Sequence, residues 1–311
     1  MNITAHRTLY FWITGLVLTA ALGAIFVYGL PRAIDFTGGS LLKVSYQGAR
    51  PELSVIQEQI AVVPLGAVSV RTFGADAISV RSRTMTPAEH DMILAALSQN
   101  GTQITELSFN SIGPALGDQF ETKALWAIFA VSFAIALYIA IAFRKVSRPV
   151  PSWGYGLIVV AILIHDLIIP SGFFAILAHV TGAEVDALFI TALLALLGYS
   201  VNDTIVIFDR IREHLSRNER ENNKESFEQT VGKSISETMT RSLNTSLTVM
   251  LALLALVLFG ASATRDFALV MLVGVVAGTY SSILLAAPLL IPLARRFTGL
   301  GQNAPSALRR G

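Results

Sequence analysis

Asn202 and Asp203 lie in an apolar stretch that opens near Val185 and runs on through Ile205, Val206, Ile207 and Phe208. An ionised side chain within a membrane helix costs about 2.5–3.5 kcal/mol on insertion scales, so such residues face a bundle interior or a water path. Burial favours the protonated form of a carboxylate and a nearby cation the ionised form, so a group held between the two can load and release protons. The available cation is Arg241, which opens another apolar segment and is followed by Asn244, Thr245, Ser246 and Thr248. This pattern makes Asp203, Arg241, Asn202, Asn244 and Thr245 candidates for a proton relay. Plainer readings stay open beside it. Asp203 follows Glu184 by roughly 28 Å of helix, close enough to the far interface to reach water. Arg241 can snorkel to headgroups, and the hydroxyls can serve as packing contacts between helices.

Weaker candidates are His165 and Asp166, adjacent in the middle of a different apolar run. Helix neighbours point about 100° apart, so the two are expected not to touch, and each is read as a relay member or a polar contact satisfied in the bundle. Gly274 and Gly278 form a small-xxx-small pair followed by Thr279, Ser281 and Ser282, which favours close helix packing. Asp35-Phe36-Thr37-Gly38-Gly39 places Asp35, Gly38 and Gly39 in a tight turn between a helix exit and a strand. It lacks the Gly-Lys-Ser/Thr of a phosphate loop. Arg71, Arg81 and Arg83 read as a solvated basic face. Zero cysteines exclude disulfides and thiolate metal sites. With no paired catalytic carboxylates, His cluster or nucleophile elbow, the chain does not read as an enzyme, and no cofactor or metal is expected.

The elements that must position these residues follow from composition. Of 311 residues, 53% are hydrophobic and only 14% charged, too apolar for an ordinary soluble domain. The apolar runs approach the roughly 20 residues that cross a bilayer. They predict an α-helical membrane protein with a six-helix transmembrane bundle. The spans fall at 8–30, 124–143, 154–178, 187–208, 243–261 and 267–294, the last five lying in a bundle remainder over 123–297. The first run is too long for the core of a signal peptide and reads as a retained helix. Pro170 is expected to kink the third span.

Residues 31–122 differ in texture and predict one small α+β external domain. Leu42, Val44 and Tyr46 alternate with polar residues as in a half-buried strand. Pro51 opens a helix with Leu53, Ile56 and Ile60 on one face. Val68 and Val70, then Ile78 and Val80, read as strands joined through Gly74-Ala75-Asp76. Thr86-Pro87-Ala88-Glu89 is a capping-box start for a helix that buries Met92, Ile93, Ala96 and Leu97 and ends at Gly101. Residues 104–109 supply a fourth strand. The order β-α-β-β-α-β is ferredoxin-like.

Basic residues cluster after the second, fourth and sixth spans: Arg144, Lys145 and Arg148; Arg210 to Lys233; Arg295 and Arg296. The positive-inside rule then puts both termini, including the tail 298–311, in the cytoplasm and the external domain on the opposite side of the membrane.

Several motifs carry a family resemblance. Ile34-Asp35-Phe36-Thr37-Gly38-Gly39, Gly198 to Thr204 with Phe208 to Glu213, Arg241 to Ser246, and Gly278 to Ser282 together resemble the SecF family of protein-export membrane subunits, across nearly the whole chain. Ala33 departs from it, where the family more often has Gly. The resemblance implies an accessory subunit of the Sec translocase in the bacterial cytoplasmic (inner) membrane. Its implied partners are SecD, the SecYEG channel, YajC, unfolded exported polypeptide and the lipid bilayer, with no nucleic acid. It further implies that the proton-motive force drives late steps of export, with Asp203 the proton carrier and Arg241 its basic partner, as in the related resistance-nodulation-division pumps. Arg71 and Arg81 would then be places for unfolded substrate to touch. Two alternatives make other predictions. An efflux transporter subunit would export small molecules without affecting secreted proteins, and a passive scaffold for SecD would tolerate neutralisation of Asp203.

Overall fold

The computed structural model describes residues 3–74, 76–98, 103–144, 149–223 and 225–297. Ala75, Gly101, Lys145, Arg148 and the tail 298–311, all named in the sequence reading, lie outside them. Among the described residues, six helical segments are long and apolar enough to cross a membrane. They are α1 (Arg7–Tyr28), α5 (Pro114–Ala142), α6 (Ser152–Thr181), α7 (Ala187–Arg220), α8 (Phe227–Phe259), and a composite of α9 (Ser262–Ser281), a π-helical turn (Ser282–Ala286) and α10 (Ala287–Phe297). The chain divides into two compact units, one holding most of the bundle and the other spanning Leu30–Trp126 with Leu177–Ala187.

Within the bundle unit, α6, α7 and the composite segment are the buried helices, while α1, α5 and α8 turn mostly outward-facing apolar surface to their surroundings. An outward apolar face is what a bilayer requires, since lipid tails are as apolar as leucine. One end of the core is closed by aromatic rings: Phe143 stacks on Tyr155 at 5.2 Å, and Phe208 meets Tyr155 edge-on at 5.2 Å. The guanidinium of Arg212 sits 5.7 Å over the Phe143 ring.

Several helices overrun the bounds their hydropathy suggests. α5 begins at Pro114, ten residues before its apolar run. The stretch read as a hydrophilic connection is mostly helix, because α7 continues to Arg220 and α8 starts at Phe227 behind a Ser226/Gln229 capping box. Hydropathy marks where lipid contact ends, whereas a helix ends where its backbone groups find caps. Arg210 pairs with Glu213 and Glu237, and His214 lies 2.9 Å from Glu237, so polar pairing sustains these helices past the apolar region.

In the second unit the sheet order is β2-β3-β1-β4, antiparallel throughout, from β1 (Gly39–Tyr46), β2 (Ser69–Phe73), β3 (Ala77–Ser82) and β4 (Ile104–Ile112). With α3 (Leu53–Ala61) and α4 (Pro87–Leu97) on one face, this is the ferredoxin-like arrangement. Leu42, Val44, Ile56, Ile78, Val80, Ile93 and Leu97 form its core. The Thr86 capping box is present, with Thr86 N donating to Glu89 at 2.8 Å. Two local expectations change. α3 starts at Leu53, with Glu52 at its N-cap, and Leu53 and Met92 are exposed while Ile56, Ile60, Ile93, Ala96 and Leu97 are buried.

The Asp35–Gly39 stretch proves to be a packing node. Ile34–Thr37 form a single helical turn, α2. Gly38 and Gly39 both have positive φ, at 68° and 114°. A Cβ at Gly38 would stand 2.7 Å from Pro114 Cα, and one at Gly39 2.5 Å from the Ser82 carbonyl oxygen. Only glycine allows both the backbone conformation and the contact.

Candidate functional site

Two neighbouring stripes of polar residues run along α7. Tyr199 and Asp203 form one and Ser200 and Thr204 the other, each pair four residues apart and therefore on one face. All but Tyr199 are buried.

The Tyr199–Asp203 stripe meets α8. Ser242 and Ser246, also four apart, are the buried hydroxyls of α8 at this level. Ser246 Oγ accepts from Tyr199 Oη at 2.9 Å and from Thr279 Oγ1 of α9 at 2.6 Å. Ser246, Ser242 and the charge of Arg241 all act on the Asp203 carboxylate. Asp203 Oδ2 and Ser242 Oγ nevertheless have no hydrogen-bond partner among the described residues. A buried acceptor without a partner is costly to maintain, and such groups persist where a ligand, a water or a proton uses them.

The Ser200–Thr204 stripe meets α6 and the composite segment. Asp166 is its hub: Oδ1 lies 2.8 Å from His165 Nδ1, while Oδ2 accepts from Ser200 Oγ and, at 3.0 Å, from Ser281 Oγ. Thr204 Oγ1 lies 2.9 Å from Ser282 Oγ, which also reaches the Ser200 carbonyl at 3.2 Å. Ser282 opens the π-helical turn, a feature that recurs at functional sites because it widens the helix by one residue. His165 Nε2 and Tyr280 Oη are buried without partners among the described residues, their rings 6.0 Å apart. Close approach of α9 to α7 makes this contact set possible. A Cβ at Gly274 would stand 2.2 Å from Leu196 Cδ1, and one at Gly278 3.1 Å from Ser200 Cβ.

The structure thus redistributes the residues singled out by sequence. Asp203 is buried as expected, with the charge of Arg241 acting on it. Asn202, Arg241, Asn244 and Thr245 are exposed on the outer faces of α7 and α8. The hydroxyls beside Asp203 belong to Ser242 and Ser246 instead. His165 and Asp166, expected not to touch, are hydrogen-bonded, with His165 Nδ1 2.8 Å from Asp166 Oδ1. Arg71 and Arg81 are engaged by Glu184, and Arg83 by Glu89, so none of the three forms a free basic face. Sequence reasoning missed Ser200 and Ser242, whose signal was their four-residue spacing from Thr204 and Ser246.

A helical bundle with buried carboxylates in hydroxyl cages and one small α+β domain defines a multi-pass membrane protein whose intramembrane chemistry is polar. Comparison with known proteins gives the family. Residues 92–296 match the family model described as protein export membrane protein SecD/SecF, C-terminal. The protein translocase subunit SecF of Anaerolinea thermophila is 37% identical, the match covering 94% of this chain and 93% of that protein. The SecF of Thermobaculum terrenum is 36% identical over the same shares. The crystal structure of SecDF, a translocon-associated membrane protein from Thermus thermophilus, superposes with a TM-score of 0.78 at 29% identity. That match covers 94% of this chain but only 38% of the SecDF chain. A super-membrane-facing form of SecDF gives a TM-score of 0.67 at 28% identity. This chain belongs to the SecF family, and is a membrane subunit of the Sec protein translocation machinery.

Proposed function

We propose that the chain couples the proton-motive force to late steps of polypeptide export, acting with SecD beside the SecYEG channel and YajC. The observation that carries this reading is Asp203, buried, with an unpartnered Oδ2 turned toward a helix that supplies two hydroxyls and a cation. A charge that moves through the membrane field gains about 2.3 kcal/mol per 100 mV, so a few protons can drive a domain movement that a single binding contact cannot. Asp166, with the unpartnered His165 Nε2 and Tyr280 Oη beside it, offers a second polar station within the same bundle.

The exposed residues support the partnership with SecD. Asn202, Arg241, Asn244, Thr245 and Thr248 lie on outward faces of helices that otherwise meet lipid. Polar side chains at membrane depth require a protein partner or a water-filled cavity. A second membrane subunit seated on this face would cover them and enclose Asp203. The chain would then lie in the bacterial inner membrane with both termini cytoplasmic, the small domain periplasmic, and Asp203 in the cytoplasmic half of α7.

A hydrophobic carbodiimide, which reacts with protonated carboxyls in apolar surroundings, tests the central residue. In the complex with SecD, peptide mapping should find Asp203 modified, and prior modification should abolish the stimulation of export by the gradient. Modification of Asp203 that leaves this stimulation intact would sink the reading.

A further inference from the structure

The turn between α6 and α7 is tied to the small domain by links at three nearby positions. Ala33 N donates to the Val185 carbonyl at 2.8 Å, and Val185 N to the Pro31 carbonyl at 2.7 Å. Asp35 Oδ2 accepts from Ala187 N at 3.0 Å, so its carboxylate caps the first turn of α7, where the helix dipole favours negative charge. Glu184 Oε1 accepts from Arg81 at 2.9 Å and Arg71 at 3.2 Å, which ties the turn to strands β3 and β2. Arg81 hands the connection on to Thr37 Oγ1 at 2.7 Å and the Arg32 carbonyl at 3.2 Å.

An isolated exposed ion pair contributes little. This one differs in kind: the Glu184 side chain is only 15% exposed, and it is shared by guanidinium groups from two strands. Planar guanidinium groups fix direction as well as distance. The helix that begins at Ala187 is the one that carries Asp203, about 24 Å further along a continuous rod. Packed helices shift as rigid bodies, so a displacement of α7 arrives at its first turn undiminished.

We propose that Glu184, Arg71 and Arg81 form a clasp that passes displacement of α7 to the sheet of the small domain. They are positioning residues for proton-driven export, acting through α7 and touching neither the proton nor the polypeptide. The clasp stays closed throughout the cycle, as a strut. This inference rests on the proton-coupled reading of Asp203.

The test uses the full chain with SecD and the channel in inverted membrane vesicles, where export is measured with the gradient intact and after an ionophore collapses it. Glu184→Ala should accumulate normally and export at the collapsed-gradient level under both conditions. Because the chain has no cysteine, Arg81→Cys with Glu184→Cys supplies a unique thiol pair. Joining the pair with a short bis-maleimide, which adds to both thiols, should restore the response to the gradient, which a merely structural role does not predict. Asp203→Asn is the control. If Glu184→Ala keeps the full response while Asp203→Asn has lost it, the clasp is wrong and proton coupling stands. If Asp203→Asn also keeps the response, the underlying reading fails. Should Glu184→Ala fail to accumulate, an equal response of the thiol pair before and after linking overturns the proposal.

Discussion

Asp166 accepts hydrogen bonds from α7 and α9 and pairs with its neighbour His165. Membrane hydrogen bonds average about 0.6 kcal/mol each, so Asp166→Ala should destabilise the bundle by about 2 kcal/mol. Asp166→Asn, which keeps one acceptor oxygen, should cost less than the alanine change. Thermal unfolding in detergent measures both, and equal midpoints for Asp166→Ala and wild type would contradict the assigned network. Asp203 is organised differently. Its Oδ2 lacks a partner, so Asp203→Asn removes charge without breaking a full set of bonds and should leave the melting temperature nearly unchanged. Asp166 is a structural hub and Asp203 a free acceptor. That distinction was not legible in the sequence, where both are single carboxylates in apolar runs. It depends on which rotamer His165 adopts and on which face of α8 turns inward.

At the scale of elements, the six apolar runs, the β-α-β-β-α-β order and the Thr86 cap could be read directly, because hydropathy, period and capping are local properties. The extensions of α7 and α8 could not, since their stability comes from pairs such as Arg210 with Glu237, 27 residues apart. The use made of Asp35 was equally hidden, because the residue it caps lies 152 positions away. Gly274 and Gly278 were read as packing positions, and their contacts with Leu196 and Ser200 give a measurable consequence. Gly274→Val should separate α9 from α7 at a cost of about 1–3 kcal/mol, typical of overpacking, and lower the unfolding temperature in detergent. In the small domain, the Arg83 guanidinium and the Thr86 backbone hold the Glu89 carboxyl at about 2, well below its ordinary 4.5. A depressed value means that Glu89 stabilises the fold fully above about pH 4.5, and that this contribution is lost as pH falls toward about 2. Between those limits, Glu89→Gln should flatten the pH dependence of unfolding relative to wild type. An unaltered slope would contradict the pairing.

At the scale of the whole molecule, the orientation inferred from Lys and Arg placement predicts which surfaces face out. With no native cysteine to interfere, Val62→Cys on the small domain, where Val62 is 74% exposed, should react with an impermeant thiol reagent added to spheroplasts. Glu219→Cys at the end of α7 should react only after the membrane is opened. The reverse pattern would invert the topology. Function at this scale rests on a proton that changes the state of Asp203 and a domain that responds. The most direct measurement is the ratio of export with the gradient imposed to export with it collapsed, in vesicles holding equal amounts of wild type or Asp203→Asn with SecD. Coupling through Asp203 predicts a ratio well above one for wild type and close to one for Asp203→Asn. An undiminished ratio in Asp203→Asn would contradict it.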